Sequence, residues 1–200
     1  MTKNWASFYS KSFDLEFLIR NTYVHLEMFK SIYDQHPRKL LEVGVGSGSM
    51  SIFWSYLGLK LFALDNDLKV LEKAKQLSKS LNGNVNFVYG DAFKLPFKDN
   101  FFDVIFHQGL LEHFSDEEII RLLNEQLKVG KAVVFSVPNN FYKEKDFGNE
   151  RLLTKDYWDK LLKQNFNLIE SKNYNPVRKK LFKKIPYRVV KTMYFAKITK

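Results

Sequence analysis

The sequence predicts an α/β protein: a mostly parallel sheet, doubly wound, with helices on both faces. Three observations carry this expectation. Strand-length apolar runs alternate with helical patterns along most of the 200 residues. The central runs, such as Ala132 to Phe135, are continuously apolar, as strands buried on both faces must be. The last two candidate strands have no room for a long helix between them, which implies an antiparallel hairpin at one sheet edge.

The elements follow in order. Residues 11–36 read as one helix, with Phe13, Phe17, Ile19, Val24, Met28 and Ile32 at near-helical spacing and Pro37 ending it. Leu40 to Gly44 is a short strand running into Gly44-Val45-Gly46-Ser47-Gly48. A helix over 49–58 follows and stops at Gly58. Leu59 to Leu64 is the next strand, closing on Asp65, and Asp67 caps a helix over 68–81 that Asn82-Gly83 terminates. Val85 to Tyr89 and Phe102 to Phe106 are strands. Ser115 with Glu118 forms a capping box opening a helix over 116–128. The strand 131–137 closes on Pro138, and Thr154 caps a helix over 155–164. Strands over 166–174 and about 189–198 end the chain. The whole reads as one domain: a helical cap over 1–37, a core over 38–140, and a C-terminal helix with a basic hairpin over 141–200.

Composition narrows the function. Cysteine is absent, which excludes disulfide scaffolds, zinc-thiolate sites and cysteine nucleophiles. The net charge of +10 is local: residues 171–200 carry ten Lys or Arg and no acid, so the first 170 residues are neutral. Residues 178–191 interleave basic with apolar and aromatic side chains. That run suits RNA, an anionic surface or an acidic substrate, or a solvated edge whose lysines discourage strand pairing. No segment approaches the ~18 apolar residues of a membrane-spanning helix, and the N-terminus lacks the apolar core of a secretory signal. A cytoplasmic protein is expected.

In such sheets ligands bind outside the carboxyl ends of the strands, where strand order reverses. The first strand ends in Glu42-Val43-Gly44-Val45-Gly46-Ser47-Gly48, a turn that lets a ligand approach the backbone. The spacing departs from the dinucleotide fingerprint, and no lysine follows to hold phosphates. Asp65, 17 residues past Gly48, is placed to accept hydrogen bonds from both hydroxyls of a ribose. Asp91 and Ala92, after the third strand, suit an exocyclic amine and a ring nitrogen, although a turn-forming Asp is as good a reading. His107-Gln108-Gly109 leaves the fourth strand at the same rim.

These blocks, LLEVGVGSGSMS, Asp65, GDAFKLPF, FDVIFHQGLLEHF and LKVGKAVVFSVPNN, resemble class I S-adenosylmethionine-dependent methyltransferases of the small-molecule type, similar to those of quinone biosynthesis. The resemblance covers about 38–140, with all blocks in order. It implies a Rossmann-like sheet of order 3-2-1-4-5-7-6 with the last strand antiparallel. It implies S-adenosyl-L-methionine as cofactor. Glu42, Gly44, Gly46 and Gly48 would cradle the methionine end, Asp65 the ribose, Asn66, Asp91 and Ala92 the adenine, and His107 and Gln108 the methionine and substrate mouth. Trp5 and Tyr9 resemble part of an N-terminal lid.

Methyl transfer needs a general base only when the nucleophile is still protonated at neutral pH. His107 and His113 are the candidates; His25 and His36 lie outside the rim. No metal site is expected, and the motif of exocyclic-amine methyltransferases is missing after the fourth strand. The expected acceptor is a small molecule reacting through O, N or C. Rival readings are an RNA methyltransferase recruited by the basic end, a nucleotide-cofactor oxidoreductase and a non-catalytic cofactor-binding module.

Overall fold

The computed structural model describes residues 14–143, 148–179 and 188–200; the side chains of 178, 179 and 188 are not among them. Seven strands form one sheet in the order β3-β2-β1-β4-β5-β7-β6. They are β1 (Lys39–Val43), β2 (Lys60–Asp65), β3 (Val85–Tyr89), β4 (Phe102–Gln108), β5 (Gly130–Pro138), β6 (Asn167–Lys179) and β7 (Arg188–Thr199). The first five strands pair in parallel, and β7 runs antiparallel to both β5 and β6. The expected order and the terminal hairpin are therefore both present. The hairpin strands extend further than expected, so Arg178, Lys179 and Arg188 belong to strands, while Lys191 falls within the strand already expected. Most of the remaining basic run, and Trp5 and Tyr9, lie outside the described residues.

Two apolar layers hold the sheet. On one face α5 (Asp116–Val129) and α6 (Lys155–Asn165) bury Ile119, Leu122, Leu123, Trp158 and Leu162 against Ile105, Val133 and Phe135. On the other, α2 (Leu26–Tyr33) and α3 (Ser49–Ser55) bury Met28, Phe29, Ile32 and Trp54 against Leu40, Phe106, Val134 and Phe195. Phe29 stacks on Trp54 at 5.0 Å. Each such side chain contributes about 1.5–3 kcal/mol by leaving water. On the same face α4 (Leu68–Ser80) packs Val70, Leu71 and Ala74 on Ala63.

The capping expectations hold in detail. Asp67 accepts from Lys69 N and Val70 N, Ser115 and Glu118 close a reciprocal box, and Thr154 accepts from Tyr157 N. The N-terminal helix differs. It is two helices, α1 (Leu15–Val24) and α2, broken at His25. His25 is buried there, with Nδ1 2.6 Å from the Tyr174 hydroxyl, which in turn lies against Ser136 Oγ. A tertiary polar contact thus outweighs a helical pattern that reads as continuous. On α1 the buried residue is Leu18 rather than Ile19, which is exposed; Phe13 lies outside the described residues.

Candidate functional site

Strand order reverses between β1 and β4, and the chain leaves these strands in opposite directions. A cavity of ≈ 330 Å³ opens there, at the carboxyl ends of β1 to β4. That is where an open α/β sheet holds its ligands, and the volume suits a small molecule.

The turn after β1 forms one wall. Gly44, Gly46 and Gly48 have φ of 70°, 52° and 75°, so every second residue adopts a left-handed conformation that strongly favours glycine. Gly44 N donates to Leu64 O at 2.8 Å, which ties the turn to the end of β2. A Cβ on Gly44 would stand 3.3 Å from Leu110, across the cavity mouth. Gly44 and Gly46 line the cavity. Gly48 is not among the lining residues: it is the N-cap of α3, and a Cβ on it would stand 3.1 Å from the Cβ of Ala74 on α4.

Glu42 takes a different place from the one expected. Its carboxyl is buried behind the turn and is absent from the cavity lining. Its Oε2 accepts from Ser51 N at 3.1 Å and from Ser51 Oγ at 2.6 Å. Ser51 is the third residue of α3, and Gly48 has no side chain with which to cap that helix. Glu42 therefore supplies the missing cap from the neighbouring strand. Burial is the main cause pushing its pKa up to about 8.

Asp65, Asn66, Asp91, Ala92 and Gln108 all line the cavity. Asp65 Oδ1 accepts from Asp67 N at 3.0 Å. Burial raises its pKa, while amide hydrogen bonds from Asp67, Gly46 and Asn66 work the other way. Asp91 is exposed and accepts from Phe93 N at 2.9 Å, so it also makes the turn that was the alternative reading. Among the described residues, the charged side chains lining this cavity are the acids Asp65 and Asp91; no lysine or arginine joins them.

The two candidate bases part company. His107 is fully buried on the other side of β4, stacked on Phe135 at 5.5 Å. Its ring nitrogens have no partner within hydrogen-bond geometry. Burial pushes its pKa down to about 3, and the nearby Gln126 amide only partly offsets this. It neither lines the cavity nor reaches a substrate there. The reason is strand alternation: Gln108 points to the rim, so His107 must point into the core. His113 does line the cavity, from a 3-10 turn at Leu111–His113, and its Nδ1 lies 2.8 Å from Asn149 Oδ1.

Asn149 was missed by sequence reasoning, as were Leu110, Phe114 and Gly90. Asn149 sits in the irregular connection between β5 and α6, which has no periodicity to read. Gly148, with φ of 79°, is a signal of a turn there but not of its destination.

Sheet order, switch-point cavity and glycine turn together define the class of fold: the Rossmann-like, class I methyltransferase fold. Residues 40–132 match the family described as "Methyltransferase domain". The chain is 38% identical over 112 residues to the ubiquinone/menaquinone biosynthesis C-methyltransferase UbiE of Azotobacter vinelandii, covering 51% of this chain and 44% of that protein. It is 28% identical over 107 residues to the norajmaline N-methyltransferase of Rauvolfia serpentina, covering 50% and 36%. The chain thus spans less than half of each relative's length. Among solved structures, the magnesium protoporphyrin IX methyltransferase of Synechocystis PCC 6803, with bound SAH, superimposes with a TM-score of 0.67 at 14% identity, covering 98% of this chain and 93% of that one.

Proposed function

We propose that this protein is an S-adenosyl-L-methionine-dependent methyltransferase acting on a small-molecule acceptor. The observation that carries the reading is the charge of the cavity. Its described charged side chains are two acids, Asp65 and Asp91, and the turn beside them has no lysine. This suits a cofactor bearing a sulfonium and an ammonium with no phosphate, and it disfavours a dinucleotide, whose diphosphate would meet negative charge. The UbiE and norajmaline relatives are named for methyl transfer to carbon and to nitrogen, which supports the activity while leaving the acceptor atom open.

When bound, the cofactor supplies an electrophilic methyl group. The residues around it bind and position. Gly44 and Gly46 let the ligand reach the turn backbone, Asp65 accepts from the ribose hydroxyls, and Asn66, Asp91 and Ala92 flank the adenine. Gln108 borders the acceptor side. Glu42 acts indirectly, by holding α3 to the turn. His113 takes up the acceptor's proton, a role His107 cannot fill from the core.

Calorimetry with S-adenosylhomocysteine and with NAD tests the reading. Micromolar binding of the former and none of the latter is expected; failure to bind S-adenosylhomocysteine overturns the proposal. Turnover on any acceptor removes the non-catalytic reading. The run 178–191 lies largely outside the described residues, and no observation favours RNA as the acceptor.

A further inference from the structure

We propose that Asn149 is a positioning residue. Its side-chain oxygen holds the His113 imidazole in the Nδ1–H tautomer and so makes Nε2 the proton-accepting atom of the ring. The consequence for chemistry rests on reading the cavity as a methyl-transfer site. The geometry itself exists without any ligand.

His113 Nδ1 lies 2.8 Å from Asn149 Oδ1, and both residues line the same cavity. An amide oxygen can only accept, so the ring nitrogen facing it must carry the hydrogen. In a neutral imidazole the other nitrogen then holds the lone pair. Free in water, the neutral histidine side chain favours the opposite form, with the hydrogen on Nε2. The bond to Asn149 therefore selects the form that is in the minority in solution.

The structure also shows what keeps Asn149 over the ring. Two residues further on, Arg151 N donates to Glu112 O at 2.8 Å, and Arg151 Nη1 donates to Phe114 O at 2.7 Å. The two acceptors flank His113 in the chain, Glu112 on its short helical turn and Phe114 just after it. Arg151 Nη2 pairs with Asp116 Oδ1 at 2.7 Å, and the other oxygen of Asp116 accepts from the Tyr157 hydroxyl at 2.6 Å. The β5–α6 connection is thus fastened to the segment carrying His113 on both sides of the ring. Gly148 turns the chain into place just before Asn149.

A ring held this way accepts a proton at Nε2 from a hydroxyl or an acidic C–H, becoming an imidazolium. Its Nδ1–H bond to Asn149 then becomes charge-assisted and stronger. The acceptor class that profits is one that must lose a proton in order to react: a phenol, an alcohol or a carbon acid. An amine with a free electron pair gains nothing from it.

The test uses the full chain without ligand. Two-bond proton–nitrogen correlation spectra of the histidine rings are recorded at about pH 8.5, above the usual imidazole range, with His113→Gln assigning the signal. Expected is a protonated Nδ1 and an Nε2 that carries no hydrogen for His113. Asn149→Ala is expected to move the hydrogen to Nε2, and Asn149→Asp, which keeps an accepting oxygen, to restore it to Nδ1. A hydrogen on Nε2 in the parent protein, or an unchanged tautomer in Asn149→Ala, overturns the proposal. Calorimetry with S-adenosylhomocysteine on the same samples separates the two readings. Lost binding with the tautomer intact sinks only the cofactor, and intact binding with the wrong tautomer sinks only the role of Asn149.

Discussion

Glu42 and Asp65 lie near the ends of neighbouring strands, and burial raises the pKa of both carboxyls, yet they do different work. Glu42 turns inward to Ser51 and closes a helix end, whereas Asp65 stays at the cavity. Losing Asp65 should therefore strike the ligand directly. Asp65→Ala is expected to weaken S-adenosylhomocysteine binding by about 1.5–3 kcal/mol, the worth of hydrogen bonds to a charged group. Calorimetry checks this, and unchanged affinity would remove Asp65 from the ribose. His107 and His113 make the same point about neighbours in sequence. Both belong to one motif, but alternation along β4 puts one in the core, and the short turn after it brings the other to the cavity.

The element that matters most is the turn from β1 into α3. Its three left-handed glycines give the backbone its path, and Gly48 also lets α3 and α4 approach closely. Gly58 has nearly the same φ, 74°, but a Cβ there would meet open space. Replacing either by alanine carries the left-handed penalty of about 1–2 kcal/mol. Only Gly48→Ala adds a contact at 3.1 Å with Ala74, so its urea midpoint should fall further than that of Gly58→Ala. Equal midpoints would mean that the helices shift apart freely. At the start of α5, Ser115 and Glu118 satisfy each other's backbone amides. Ser115→Ala is expected to cost about 1 kcal/mol in chemical unfolding, as the loss of a helix cap does.

For the whole molecule, three buried groups shape stability against pH. His25 and His107 are pushed down to about 4 and about 3, so the folded state keeps them neutral. Their contribution is present above the unfolded value of about 6.5 and is lost as pH falls toward the folded values. Glu42 works the other way. It is pushed up to about 8, so its contribution is complete below the unfolded value and is lost as pH rises through 8. Between pH 4.5 and 6.5 the two trends oppose each other, and above 6.5 that of Glu42 remains. The unfolding free energy should decline from about pH 6.5 to 8 by up to about 2 kcal/mol, at about 1.4 kcal/mol per pH unit for one proton. Glu42→Gln keeps an oxygen for Ser51 but has no proton to shed. Urea titrations across this interval should show that slope flattened in the variant, and an unchanged slope would rule out Glu42 as its source.

The sequence by itself determined what is local. Asp67, Ser115 and Thr154 announce their helices because a capping oxygen acts within three residues. Apolar runs announce strands buried on both faces, and the glycine turn, Asp65 and Asp91 are legible because the ends of parallel strands come at regular intervals along the chain. Only the tertiary structure decided what joins distant residues. The His25–Tyr174 bond breaks a helix that its own pattern would continue. The register of β4 withdraws His107 into the core, and the Arg151 fastening carries Asn149 to His113 across 36 positions of sequence. Such contacts are selected by burial and hydrogen bonding between elements, and no spacing along the chain records them.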